Sequence, residues 1–136
     1  MALTFGTDEW VKSLMVAVNE SEKYRSAAHD WEGDFYFVIN KSPGFAADTY
    51  LYLDLHHGAC RDAFKVDDVN AMNPAFVLSA PAPVWQRVLS GKLDPIQGLV
   101  TRQLKLKGNM MKIMKAPKAA TELVAAAQHV ETEWPK

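Results

Sequence analysis

The chain has 136 residues, 49% of them apolar and 23% charged, and a formal net charge of −1. That length suits a single domain spanning residues 1–136, with a real core and no room for a second, and the near-neutral balance excludes an electrostatic footprint for nucleic acid. One cysteine, Cys60, excludes an internal disulfide and suits a reducing compartment. With no long apolar run and no signal-like start in "MALTFGTDEWVK", the expected location is the cytoplasm.

Thr7 before Asp8 and Glu9 opens a helix, with a cap and acids in its first turn. Trp10, Leu14, Ala17 or Val18, Ser21, Tyr24 and Ala28 then recur at three to four residues, which predicts one amphipathic helix to about residue 29. After Gly33 the period changes to two: "DFYFVINK" sends Phe35, Phe37 and Ile39 one way and Tyr36, Val38 and Asn40 the other. "SPG" turns the chain, and "TYLYLDLHHG" opposes Leu51, Leu53 and Leu55 to Tyr50, Tyr52 and Asp54. "CRDAFKV" reads as a weaker third strand, and "AFVLSA" as a fourth, with Phe76 and Leu78 on one face.

Pro83 suits the first turn of a helix that carries Trp85, Val88 and Leu89 and ends at Gly91. Asp94-Pro95 starts another short helix by cap and first-turn proline. "RQLKLKG" is a fifth strand, with Leu104 and Leu106 opposed to Lys105 and Lys107. Asn109 caps a helix bearing Met110, Met111, Ile113 and Met114, which holds three of the chain's six methionines. From Pro117 a last helix is striped by Ala120, Leu123, Val124, Ala127 and Val130. This order is α+β rather than alternating βαβ. It predicts a mainly antiparallel five-stranded sheet with one apolar face covered by helices.

Candidate chemistry is sparse. Asp54 and His56 share a strand face while His57 points away, with Cys60 and Asp62 nearby. A zinc site needs three or four converging ligands and this stretch supplies two, so no metal is expected. A Cys60 nucleophile paired with His29 or His129, or a small hydrolase built on His56, ranks last, since a lone cysteine is more often a small buried hydrophobe. Asp67-Asp68 lies in a loop, and the glycines are too scattered for a phosphate-binding loop. No catalytic residue and no cofactor is assigned.

The strand-and-helix set is what any core would contain, but three clustered methionines recur at permissive binding surfaces, where flexible thioethers repack around varied shapes. The stretch "LSGKLDPIQGLVTRQLKLKGNMMKIMK" resembles the signature of the sterol carrier protein type 2 family. In order it runs apolar residue, Gly-Lys, apolar residue, Asp-Pro, short apolar helix, Lys-alternating strand, Gly-Asn-Met and a Met-bearing helix. "DFYFVIN", "TYLYLDL" and "AFVLSA" extend the resemblance to residues 8–130.

The resemblance implies a non-catalytic lipid carrier with an apolar tunnel between sheet and helices, for a fatty acid, acyl-CoA ester, phospholipid, sterol or isoprenoid-like ligand. The implied sheet wall is Phe35, Phe37, Leu51, Leu53, Phe76, Leu78, Leu104 and Leu106. The helices would add Trp85, Leu89, Met110 and Ile113, and the thioether argument adds Met111 and Met114. Arg102 or Lys112 would meet a headgroup. Thr101-Arg102 stands where the best-known members have Gln-Gly, so the polar end of the pocket departs from theirs. The absence of a terminal peroxisomal address favours a cytoplasmic member of prokaryotic type.

Three further expectations concern partners and motion. The Ala-rich final helix is the expected lid. The basic run 102–118 (Arg102, Lys105, Lys107, Lys112, Lys115, Lys118) suits transient contact with an anionic membrane surface. The aromatic face of Tyr36, Tyr50 and Tyr52 suits a homodimer or another protein partner if the core is filled. An accessory subunit presenting a lipid intermediate to an enzyme is the remaining alternative.

Overall fold

The computed structural model describes residues 2–135, so Met1 and Lys136 lie outside the described residues. After a two-residue strand β1 (Leu3–Thr4), the Thr7 side chain accepts from the Trp10 amide and opens α1 (Asp8–Glu20). The single helix expected to residue 29 is two. Ser21 adopts an extended backbone and its hydroxyl caps the Tyr24 amide, ending α1 and starting α2 (Glu22–Ala27). A serine in mid-pattern competes for backbone groups in this way.

The alternating stretches become β2 (Glu32–Asn40), β3 (Thr49–His56), β4 (Ala59–Val66) and β5 (Phe76–Pro81). The helices α3 (Ala82–Leu89) and α4 (Pro95–Val100) follow, the latter capped by the Asp94 carboxylate on the Ile96 and Gln97 amides. After β6 (Lys105–Lys107), the Asn109 side chain caps α5 (Met110–Met114), and Pro117 opens α6 (Pro117–Ala127). β7 (Thr132–Glu133) pairs in parallel with β1, a contact the sequence pattern did not announce.

The main sheet has five strands in the order β4-β3-β2-β5-β6, antiparallel throughout except for the parallel β2–β5 pair. The expected α+β architecture is present. Along β2 and β3 the parity is as read: Phe35, Phe37, Ile39, Leu51, Leu53 and Leu55 are buried in one core with Trp10, Leu14 and Trp85 from the helices. Each such side chain contributes roughly 1.5–3 kcal/mol by leaving water.

The opposite face is not bare. Tyr36, Val38, Tyr52 and Val66 form a second buried cluster, with Met72 of the β4–β5 connection packed against it. The Tyr36 hydroxyl donates to the Val69 carbonyl at 2.9 Å and accepts from the Met72 amide at 2.9 Å. Tyr36 and Tyr52 are therefore only 1% and 5% exposed. This corrects the expectation of a Tyr36/Tyr50/Tyr52 dimer face: the chain's own loop occupies it, and only Tyr50 remains half-buried.

Candidate functional site: an apolar cavity between sheet and helices

Between the sheet and the helical layer lies a cavity of about 90 Å³. Phe35, Phe37, Leu55 and Leu78 form its sheet side, and Leu104 closes the approach to β6. Tyr24, Trp31, Trp85, Val88, Leu89 and Leu99 wall the helix side, and Ile113 comes from α5. The roof is α6, whose Ala119, Ala120, Leu123, Val124 and Ala127 recur at helical spacing, with Ala116 just before it. No charged residue is on the wall. The Trp85 indole N–H is spent on the Val38 carbonyl at 2.9 Å, so even this polar edge is satisfied within the fold.

Seven of the residues expected on the wall are there: Phe35, Phe37, Leu78, Trp85, Leu89, Leu104 and Ile113. The others are elsewhere. Leu51 and Leu53 are 1% and 0% exposed, in the part of the core that α1 covers. Phe76 stacks on Phe35 and Trp31 at centroid distances of 5.0 and 5.3 Å, outside the lining. Leu106 is half-buried off the wall, because β6 is only three residues long.

The methionines correct the sequence reading most. Met110 and Met111 are 37% and 63% exposed and Met114 is half-buried, none of them on the wall. α5 has five residues, and its one buried side chain is Ile113. Tyr24, Trp31 and the Pro95-Ile96 pair were not singled out for the wall; Tyr24 lies on the predicted helical stripe, while Trp31 and Pro95-Ile96 reach the wall through tertiary crossings.

Of the headgroup candidates, Lys112 stands with its ammonium 5.1 Å from the centroid of Trp31, a wall residue, and 5.9 Å from that of Phe76. It also donates to the Glu32 carbonyl. Arg102 is exposed with φ of 62° and is not on the wall. That left-handed conformation is one glycine adopts without strain.

The candidate catalytic groups do not converge on the cavity. Cys60 is buried, its thiol pushed up to about 12 by that burial, and it donates to the Asp62 carbonyl at 3.3 Å. A thiol so held is a poor nucleophile at neutral pH. Asp54 is gripped by the Arg61 guanidinium at 3.0 and 3.2 Å. His57 Nε2 lies 2.6 Å from Oε1 of Glu32, and that bond holds the Glu32 carboxyl below its usual range. A larger cleft of about 610 Å³ near the termini mixes Lys65 and Asp67 with Phe45 and Trp134, without a continuous apolar lining.

A helix-roofed five-stranded sheet over a cavity with no charged wall residue defines an α+β domain whose distinctive feature is a greasy interlayer space. Residues 12–120 match the profile of the SCP-2 sterol transfer family, and the chain belongs to that family. A crystal structure of a sterol carrier protein 2 is similar at 36% identity and TM-score 0.83, covering 93% of this chain and 98% of the other. The solution structure of a conserved hypothetical protein, possibly a sterol carrier protein, from Thermus thermophilus is 34% identical at TM-score 0.83, covering 98% and 94%. The apo sterol carrier protein 2 of Yarrowia lipolytica, 20% identical at TM-score 0.59 over 86% and 88%, shares the fold. A search of curated protein sequences finds no match.

Proposed function

We propose that the protein is a non-catalytic lipid carrier, a single domain that takes an acyl or isoprenoid-like chain into the cavity beneath α6. The observation that carries this reading is a wall with no charged residue, set between two layers and roofed by a helix rich in alanine. Family membership supports it. The cavity of about 90 Å³ is smaller than the ~150 Å³ that accepts benzene and far below the ~300 Å³ of an ordinary ligand pocket. This conformation is therefore the closed one, and loading requires α6 to move.

Magnitudes favour the exchange. Each buried methylene gives ~0.8 kcal/mol, so a 12-carbon tail returns about 10 kcal/mol before ordering and opening costs. The α6 face gives up little in opening, because Ala119, Ala126 and Ala127 bury far less area than leucines would. Burial of this kind tolerates many chains, since one methylene more or less changes affinity only a few-fold. Lys112, next to Trp31, meets an anionic headgroup. The basic run 102–118, with Val100 and Met111 exposed at 59% and 63%, gives transient contact with an anionic membrane during delivery.

The test is a calorimetric titration with a series of saturated fatty acids, on the native chain and on Ala120→Phe, which fills the cavity from its roof. The native chain should bind with affinity rising a few-fold per methylene and a negative heat-capacity change. Ala120→Phe should lose at least about ten-fold while keeping a cooperative melt. Absence of binding by the native chain, or equal binding by the filled variant, contradicts the proposal.

A further inference from the structure

The open end of the β2–β3 ladder holds a side-chain cluster that lipid carriage does not use. Glu32 lies opposite His56 in the register. The turn that follows runs His57-Gly58 with φ of 49° and 83°, two left-handed residues in succession, as a tight two-residue hairpin requires. It swings His57 back toward β2, so that its amide donates to the Trp31 carbonyl at 2.7 Å and its Nε2 reaches 2.6 Å from Oε1 of Glu32. The two imidazole centroids are 4.2 Å apart. One donor atom each from Glu32, His56 and His57 consequently falls within 4.8 Å of the other two.

The Glu32–His57 hydrogen bond accounts for two members of the cluster. It does not account for His56, whose ring nitrogens make no hydrogen bond among the described residues and yet sit within reach of both partners. Asp54, on the same strand face, is already engaged by Arg61. The converging donor set is thus two imidazoles and one carboxylate, with a metal taking the place of the Glu32–His57 hydrogen bond. It is borderline in softness, suiting Zn²⁺, Co²⁺, Ni²⁺ and Cu²⁺ and poor for Mg²⁺ and Ca²⁺.

We propose that Glu32, His56 and His57 form a divalent transition-metal site with three protein ligands and an outward position open to water. Ligands about 2.0–2.2 Å from a tetrahedral metal lie roughly 3.4 Å from one another. The donors now span 2.6 Å to at most 4.8 Å, so small rotations of half-exposed side chains bring them into place. Lys112 opposes the site. Its ammonium is bound to the Glu32 carbonyl and acts on the Glu32 carboxylate, so a second cation there is repelled. The stretch containing His56 and His57 offers two ligands when read alone; the third comes from the neighbouring strand.

The experiment is a titration of tag-free protein with Co²⁺ by visible absorption and with Zn²⁺ by calorimetry, no other ligand being present. One equivalent should bind, with Mg²⁺ and Ca²⁺ silent. His56→Ala, Glu32→Ala and His57→Asn should each weaken binding by ten-fold or more. The asparagine keeps a residue that tolerates the left-handed turn. His29→Ala and His129→Ala should leave binding unchanged, and Lys112→Met should tighten it. Melting curves for each variant separate loss of a ligand from loss of the fold. Failure to saturate at millimolar metal, or full affinity in a cooperatively folded His56→Ala or Glu32→Ala variant, overturns the site.

Discussion

Single residues carry the sharpest constraints on this fold. Gly58 has φ of 83°, and a Cβ there would come 2.6 Å from the Arg25 carbonyl oxygen, a backbone atom that cannot step aside. Gly58→Ala should destabilise by about 2 kcal/mol or more in a denaturant titration, since left-handed strain and the clash add. Asp8 pairs with the Lys12 ammonium at 2.6 Å and accepts the Lys65 amide, and these contacts hold its carboxyl below 3.8. A carboxyl lowered by folding stabilises above its unfolded value and loses that contribution as the pH falls through the folded one. Asp8→Asn should therefore melt earlier than the native chain at pH 7, with the gap closing below about pH 3.8. Cys60, pushed up to about 12, should resist a thiol reagent at pH 8 until denaturant opens the core. None of these three effects is visible in residue type alone: Gly58 needed α2 behind it, Asp8 needed β4 alongside, and Cys60 needed its burial.

At the level of elements, α6 should be the most mobile part of the cavity wall. Its N-terminal flank at Ala116 supplies no side-chain cap, its buried positions are alanines, and its neighbours are α1 to α5. Hydrogen exchange should show α6 opening well before β2 and β3, and added fatty acid should slow α6 selectively; exchange of α6 together with the central strands would contradict the lid role. The elements with strong local signals were legible in sequence. Period-two runs fixed β2, β3 and β5, Asp94-Pro95 marked α4, and Asn109 marked α5. What escaped was set by long-range pairing. β1 and β7 are two residues each, too short for any period, and exist through each other and the bond from the Trp10 indole to Thr132. The parallel β2–β5 pair follows from where the chain returns after the loop that caps Tyr36.

Across the whole molecule, the cavity wall was legible in part because strand parity survives into the fold, whereas helix facing depends on length and crossing. Phe35, Phe37 and Leu78 follow from alternation. Met110 and Met111 mislead because α5 ends after five residues with Ile113 as its one buried side chain. Trp31 escaped because it stands between elements, fixed by the His57 amide, its own indole bond to the Gly33 carbonyl and the Lys112 ammonium above its ring. The same feature joins the two sites. Trp31 lines the cavity, and its carbonyl accepts the amide of His57, a member of the cluster with Glu32 and His56. Lipid carriage is best tested by the structure of the protein soaked with a saturated fatty acid. An alkyl chain should lie between β2, β5 and a displaced α6, against Phe35, Leu78 and Leu123. A cavity still near 90 Å³ and empty, with the fatty acid on an outer surface or absent, would contradict it.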